Sequence, residues 1–211
     1  MKRILLHTFF LFICAFAANA QQMRTVFAEM PDSIVPVLTK NNRLDCIDFA
    51  DNKMEAVVEN AFGGRSKMLT LTADYCQIRL TDVSDVALKL LPLTDTTRVV
   101  CVVHTCRMPA AESVVRFYTS DWRPLSGDAM FRWPADDAYW VRPDTCDAAC
   151  LENIRKLLDA EAHYAVLTAG TNEMRLGVSL EALAPEDRKR VEPYVNKGLL
   201  LKWEKGRFVQ P

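Results

Sequence analysis

Residues 98–105 read Arg98-Val99-Val100-Cys101-Val102-Val103-His104-Thr105. The run from Val99 to Val103 is unbroken apolar and rich in β-branched side chains. It is too short for a typical helix, and it has no polar face. Such a segment is a strand covered on both sides, at the centre of a sheet. Its neighbours extend the sheet. Ser113 to Thr119 is expected to return antiparallel to it, and Asp85 to Leu91 to precede it. Tyr75 to Thr81 alternates with Cys76, Ile78 and Leu80 on a buried face and Gln77 and Arg79 outside. Lys67 to Thr72 reads as another strand. The links near Ala73-Asp74, Asp82 to Ser84, Thr94 to Thr96 and Arg107 to Glu112 are short. Parallel pairing needs long crossovers, so the strands form a β-meander.

Helical signals lie before this sheet. Asp32 or Ser33 is expected to cap a helix to about Thr39, with Asn41-Asn42 as a break. A second helix places Leu44, Ile47 and Ala50 on one face, flanked by Cys46 and Phe49. Residues 52–62 fit either helix or strand. After the meander, residues 120–145 look irregular, with Pro124, Pro134 and Pro143. Asp147 caps a central helix to about Glu161. His163 to Ala169 and Met174 to Ser179 are strands, and Pro185 opens a short helix. Leu199 to Trp203 and Arg207 to Val209 form a hairpin around Glu204-Lys205-Gly206. The expected class is α+β: an antiparallel meander with N-terminal helices and one central helix packed against it. Residues 21–211 are expected to be a single domain, with a possible sub-boundary near 143–147.

Residues 1–20 have the parts of a cleavable secretory signal peptide. Lys2 and Arg3 are the positive region, Ile4 to Phe16 is almost wholly apolar, and Ala18-Asn19-Ala20 offers small residues before Gln21. The apolar run is shorter than the roughly 20 residues of a spanning helix. Leu11-Phe12-Ile13 before Cys14 puts a bulky side chain where a lipobox wants a small one. No later run is long enough to span, so no integral membrane segment is expected after cleavage. The mature protein is expected to be exported, periplasmic or secreted.

Two of the 26 basic residues leave with the leader, against 27 acidic ones, so the remaining chain is mildly acidic. The longest basic cluster, Arg188-Lys189-Arg190, suits a solvated helix face. Nucleic acid is not an expected partner. His104 and His163 remain, both in apolar strand settings. There is no Gly-x-Ser-x-Gly elbow, His-Glu-x-x-His helix, P-loop or Gly-x-Gly-x-x-Gly turn. No catalytic residue, metal or cofactor is assigned on this basis, although carboxylate catalysis leaves little local trace. Asp45, Asp48 and Asp51 lack the loop pattern of a calcium site and read as an acidic helix face.

Six cysteines follow the leader: Cys46, Cys76, Cys101, Cys106, Cys146 and Cys150. The first three fall in apolar patterns and read as buried thiols. Cys146 and Cys150 flank a helix start. The disulfide candidates are a bridge between them or from one of them to Cys106.

Aromatic residues crowd the segment 117–142: Phe117, Tyr118, Trp122, Phe131, Trp133, Tyr139 and Trp140, interleaved with Asp121, Arg123, Asp128, Asp136, Asp137 and Arg142. Aromatic faces bordered by charge suit a sugar or a protein partner. The competing reading is a long loop whose rings close the core. The candidate ligand-binding residues are Trp122, Trp133, Asp136, Asp137, Tyr139 and Trp140.

Four stretches carry a family resemblance: Met30-Pro31-Asp32-Ser33, Leu38-Thr39-Lys40-Asn41-Asn42-Arg43-Leu44-Asp45, Ile47-Asp48-Phe49 and Arg116-Phe117-Tyr118-Thr119-Ser120-Asp121-Trp122. Together they resemble an exported Bacteroidales family, domain of unknown function 3256, over about Phe27 to Phe208. The resemblance implies a Gram-negative envelope setting, and it brings no catalytic residues. The expected function is a non-catalytic binding or interaction module whose partner is an envelope protein or a glycan. The alternatives are a carboxylate-dependent envelope enzyme acting on glycans, with Asp136 or Asp137 in a cleft, and a purely structural envelope component.

Overall fold

The computed structural model describes residues 22–158 and 160–211; the leader-like segment lies outside them. Seven antiparallel strands form one sheet in strict sequence order: β1 (Val57–Glu59), β2 (Arg65–Leu71), β3 (Tyr75–Thr81), β4 (Ser84–Pro92), β5 (Arg98–Cys106), β6 (Glu112–Thr119) and β7 (Pro124–Leu125). This is the expected meander, so the fold is mixed α+β. The short β1 resolves the ambiguity of residues 52–62, and β7 adds a strand inside the segment read as irregular. A second antiparallel sheet has the order β11-β10-β9-β8, from β8 (His163–Leu167), β9 (Glu173–Val178), β10 (Leu200–Glu204) and β11 (Arg207–Val209).

The pleat of β5 shows why its sequence is apolar throughout. Val100 and Val102 enter a core with Cys76, Ile78, Val86 and Leu88, under the N-terminal helices. Val99, Cys101 and Val103 point the other way, into a core shared with Ala165, Leu167, Met174, Leu176 and Leu201 of the second sheet. The large sheet is thus the middle layer between helices and a second sheet. Polar ties stitch the two sheets. Ser113 Oγ accepts from the Ala165 amide at 3.1 Å. The fully buried Lys89 donates to the Ala169 carbonyl at 2.8 Å and meets Asp74 at 2.8 Å. The last hairpin turns at Lys205 and Gly206, both at positive φ, which is the backbone a tight two-residue turn requires.

The N-terminal helices are displaced from their expected places. The first, α1 (Gln22–Ala28), precedes Asp32, and residues 32–37 are turns and a bend. The second, α2 (Lys40–Asp51), begins where a break was expected. Thr39 is its N-cap, and the Asn42 side chain completes a capping box, so the Asn pair starts the helix instead of ending it. Its inward stripe is Arg43, Cys46, Ile47 and Ala50, whereas Leu44 faces solvent. Arg43 explains the shift. Its guanidinium is buried and donates to the carbonyls of Leu38 and Met30, and it pairs with Asp32 at 2.8 Å. It therefore ties together two of the sequence stretches that carry the family resemblance. The central helix, α3 (Ala148–Arg155), is shorter than expected. Its half-buried Leu151 and Ile154 pack on the second core. A last helix, α4 (Pro185–Val191), starts at its proline. Among the described residues, no helix is long and apolar enough to cross a membrane.

Candidate functional site

Most of the aromatic segment closes the two cores. Phe117, Phe131, Tyr139 and Trp140 belong to the second core, and Tyr118 and Trp122 to the first. Trp122 is set apart from the other five candidates. It is buried against the N-terminal helices, and its indole Nε1 donates to the Val26 carbonyl at 2.9 Å. Trp133 is the exception in the segment, with 37 % of its surface exposed, and its ring meets Phe131 edge-on at 5.1 Å.

The remaining candidates gather around one ring pair. Asp136 to Tyr139 form a single 3₁₀ turn after Pro134, which drives the Tyr139 ring inward while Asp136 and Asp137 stay at the surface. Tyr139 stacks on His163, the first residue of β8, with centroids 4.2 Å apart. The Trp133 ring lies 6.1 Å from the same imidazole. Tyr139 is completely buried, and its hydroxyl has no hydrogen-bond partner. Burial, with Asp136 adding to it, pushes its pKa up to about 12.

Besides His163, two residues outside the expected set complete the site. Arg155, at the end of α3, pairs with Asp137 at 2.6 Å and with Glu161 at 3.0 Å. Its guanidinium sits 5.3 Å from the centre of the Trp140 ring, a cation–π contact. Burial works against the Arg155 charge, but hydrogen bonds to Asp137 and Glu161 outweigh it and push its pKa up. Glu161 also accepts from Trp140 Nε1 at 3.3 Å. One donor atom from each of Asp136, Glu161 and His163 lies within 4.8 Å of the others. A cleft of about 610 Å³ opens beside this network, lined by Asp137, Trp140, Arg142, Glu152, Arg155 and Lys156 among others.

The site thus joins the 3₁₀ turn, the end of α3 and the start of β8. Arg155, Glu161 and His163 lie 18 to 27 residues beyond the aromatic segment's Asp136–Asp137 pair, and no local period marks them. The available signal was the two charges at the end of an amphipathic helix, followed by one of the two histidines past the leader.

A larger cleft of about 800 Å³ lies between the two sheets. Several of its charged groups are already engaged: Asp85 pairs with Arg79 and Arg107, Lys197 with Glu192, and Arg188 donates to the Leu180 and Glu181 carbonyls.

Cys146 and Cys150 are joined by a disulfide across the start of α3, with Cα atoms 5.5 Å apart. Asp147 between them caps the helix, accepting from the Cys150 amide at 2.7 Å. Cys106 takes no part in a bridge. It ends β5 as an exposed free thiol, while Cys46, Cys76 and Cys101 are buried and free. Burial pushes the pKa of Cys46 up to about 11 and those of Cys76 and Cys101 further.

Comparison with known proteins agrees with this fold. No curated protein matches the chain. The chain is similar to the solved structure of a domain of an uncharacterized protein from Porphyromonas gingivalis W83. The identity is 26 %, the TM-score is 0.75, and the match covers 90 % of this chain and 99 % of that one. A family model described as a protein of unknown function (DUF3256) matches residues 15–208, so the chain belongs to that family.

Proposed function

We propose that this is an exported protein of the Gram-negative envelope that acts as a non-catalytic binding module, and that its partner docks on the face around the Tyr139–His163 stack. The observation that carries the reading is a set of uncommitted groups on that face. Trp133 is exposed, and among the described residues neither the Arg142 guanidinium nor the Asp136 carboxylate has a hydrogen bond or ion pair. Elsewhere on the face the charges are paired with each other. A sugar platform needs several open rings, and here one ring is open. An aromatic anchor with charges of both signs suits a polypeptide better, so the partner is an envelope protein. The leader-like residues 1–20 support the envelope setting.

The test is cross-linking capture from the native envelope, comparing wild type with Trp133→Ala and Arg142→Glu. Both residues are exposed, so neither change opens a core. Capture of a defined partner that falls sharply in both variants supports the reading. Equal capture by all three proteins overturns it.

The closeness of Asp136 and Glu161 favours a second reading, a carboxylate-dependent enzyme acting on glycans. One oxygen of each lies within 4.8 Å of the other, slightly closer than the about 5–5.5 Å between the carboxyl groups of retaining glycosidases. Against it, Glu161 is held by Arg155 and Trp140, which keeps it from serving as a free acid or nucleophile. Release of reducing ends from envelope glycans, abolished by Asp136→Asn, would establish that activity.

A further inference from the structure

We propose that Asp136, Glu161 and His163 form a binding site for one divalent transition-metal cation of the zinc class. The inference does not rest on the partner-docking reading. It starts from donor chemistry: two carboxylates and one imidazole, from three separate stretches of chain, bring one donor atom each to within 4.8 Å of one another. Such a set suits zinc, which takes nitrogen and oxygen ligands and accepts three from the protein.

Three further observations point to a cation there. First, His163 Nε2 is buried and has no hydrogen-bond partner. It faces Glu161 Oε2 at 3.8 Å, which is beyond hydrogen-bond reach. Two ligands that each hold zinc at roughly 2.0–2.1 Å can stand nearly that far apart. Second, the completely buried Tyr139 hydroxyl is also without a partner. Its ring is stacked on His163, and it shares the 3₁₀ turn of Asp136. An unpaired buried hydroxyl is costly, and a water or ligand on a cation at this cluster would give it a partner. Third, the charges do not balance. Asp136, Asp137 and Glu161 are acidic, and Arg155 is the basic residue paired among them. Arg155 holds Glu161 through Oε1, and Oε2, which accepts one hydrogen bond from Trp140 Nε1 at 3.3 Å, keeps a lone pair toward His163. In this arrangement Arg155 orients the glutamate and does not compete for the donor oxygen.

The test is zinc titration by calorimetry into untagged full-length protein as recovered from cells. It is done in a Cys106→Ser background, because an exposed free thiol can itself bind zinc. The expected result is one zinc per chain, weakened about tenfold or more by Asp136→Asn and separately by His163→Gln. Asp136 is exposed, so its variant keeps the fold even if the histidine variant does not. Zinc should also move the His163 ring signals in the NMR spectrum and leave those of His104 in place. Calcium should not displace it, because calcium takes oxygen ligands only. Absence of stoichiometric zinc binding, binding unchanged by both variants, or preference for calcium would each overturn the site.

Discussion

The indole Nε1 of Trp122 donates to the backbone carbonyl of Val26 at 2.9 Å, joining residues 96 positions apart. Trp122 holds this contact from a left-handed backbone, φ 65°, in the turn after β6. Its hydrogen bond and burial hold it in a conformation that a bulky residue rarely adopts. The residue fastens α1 to the sheet, and its conspicuous sequence signal is structural. Trp122→Phe leaves the Val26 carbonyl unpaired and is expected to cost about 1–3 kcal/mol, read from urea unfolding. Partner capture by the folded variant should be unchanged.

Arg43 makes a stronger prediction. Its guanidinium is buried and serves Met30, Leu38 and Asp32 at once. Arg43→Met strands two buried carbonyls and is expected to cost about 2–6 kcal/mol. Arg43→Lys should recover only part of this, because an ammonium cannot reproduce the planar fork. Equal stability of the lysine variant and wild type, by the same unfolding measurement, would contradict this account.

These two contacts show what was legible in the sequence. The strands were, because alternation and β-branching are local properties, and the two-sided apolar run of β5 revealed a central strand. The second core was implicit in that run. The helix boundaries were not legible. Asn41-Asn42 looks like a breaker until the Asn42 side chain is seen to accept from the amide of the N-cap Thr39, and a buried arginine does not announce itself in an apolar stripe. Of the candidate site, Trp133, Asp136, Asp137, Tyr139 and Trp140 were named together because they are close in sequence. Arg155, Glu161 and His163 join them through packing of α3 and β8 on the second core, a tertiary fact without a local period.

Thiol chemistry offers a third check. Native protein should be alkylated rapidly at Cys106 alone, since burial raises the pKa of Cys46, Cys76 and Cys101 and denies access. Denaturation without reductant should expose those three as well, and reductant should add Cys146 and Cys150. Intact mass spectrometry counts each step. Rapid native labelling of Cys101 would contradict the buried β5.

A fourth prediction concerns pH. Burial, reinforced by Arg116, lowers the pKa of His104 below its ordinary 6.5. Between that value and its lowered one, the unfolded chain binds a proton that the folded chain does not. Stability from this residue is therefore complete above 6.5, is lost as pH falls through the window, and then levels. His104→Gln should flatten that part of the urea midpoint profile. An unchanged slope would contradict the assignment.

The proposed partner docks on the face around Trp133 and Arg142. The most direct test is photo-cross-linking in the native envelope, with p-benzoylphenylalanine placed at position 133 and, as a control, at the exposed position 62. One discrete, protease-sensitive adduct is expected from position 133, absent from position 62 and abolished by Arg142→Glu. No adduct at 133, an adduct common to both positions, or one indifferent to Arg142→Glu would contradict it.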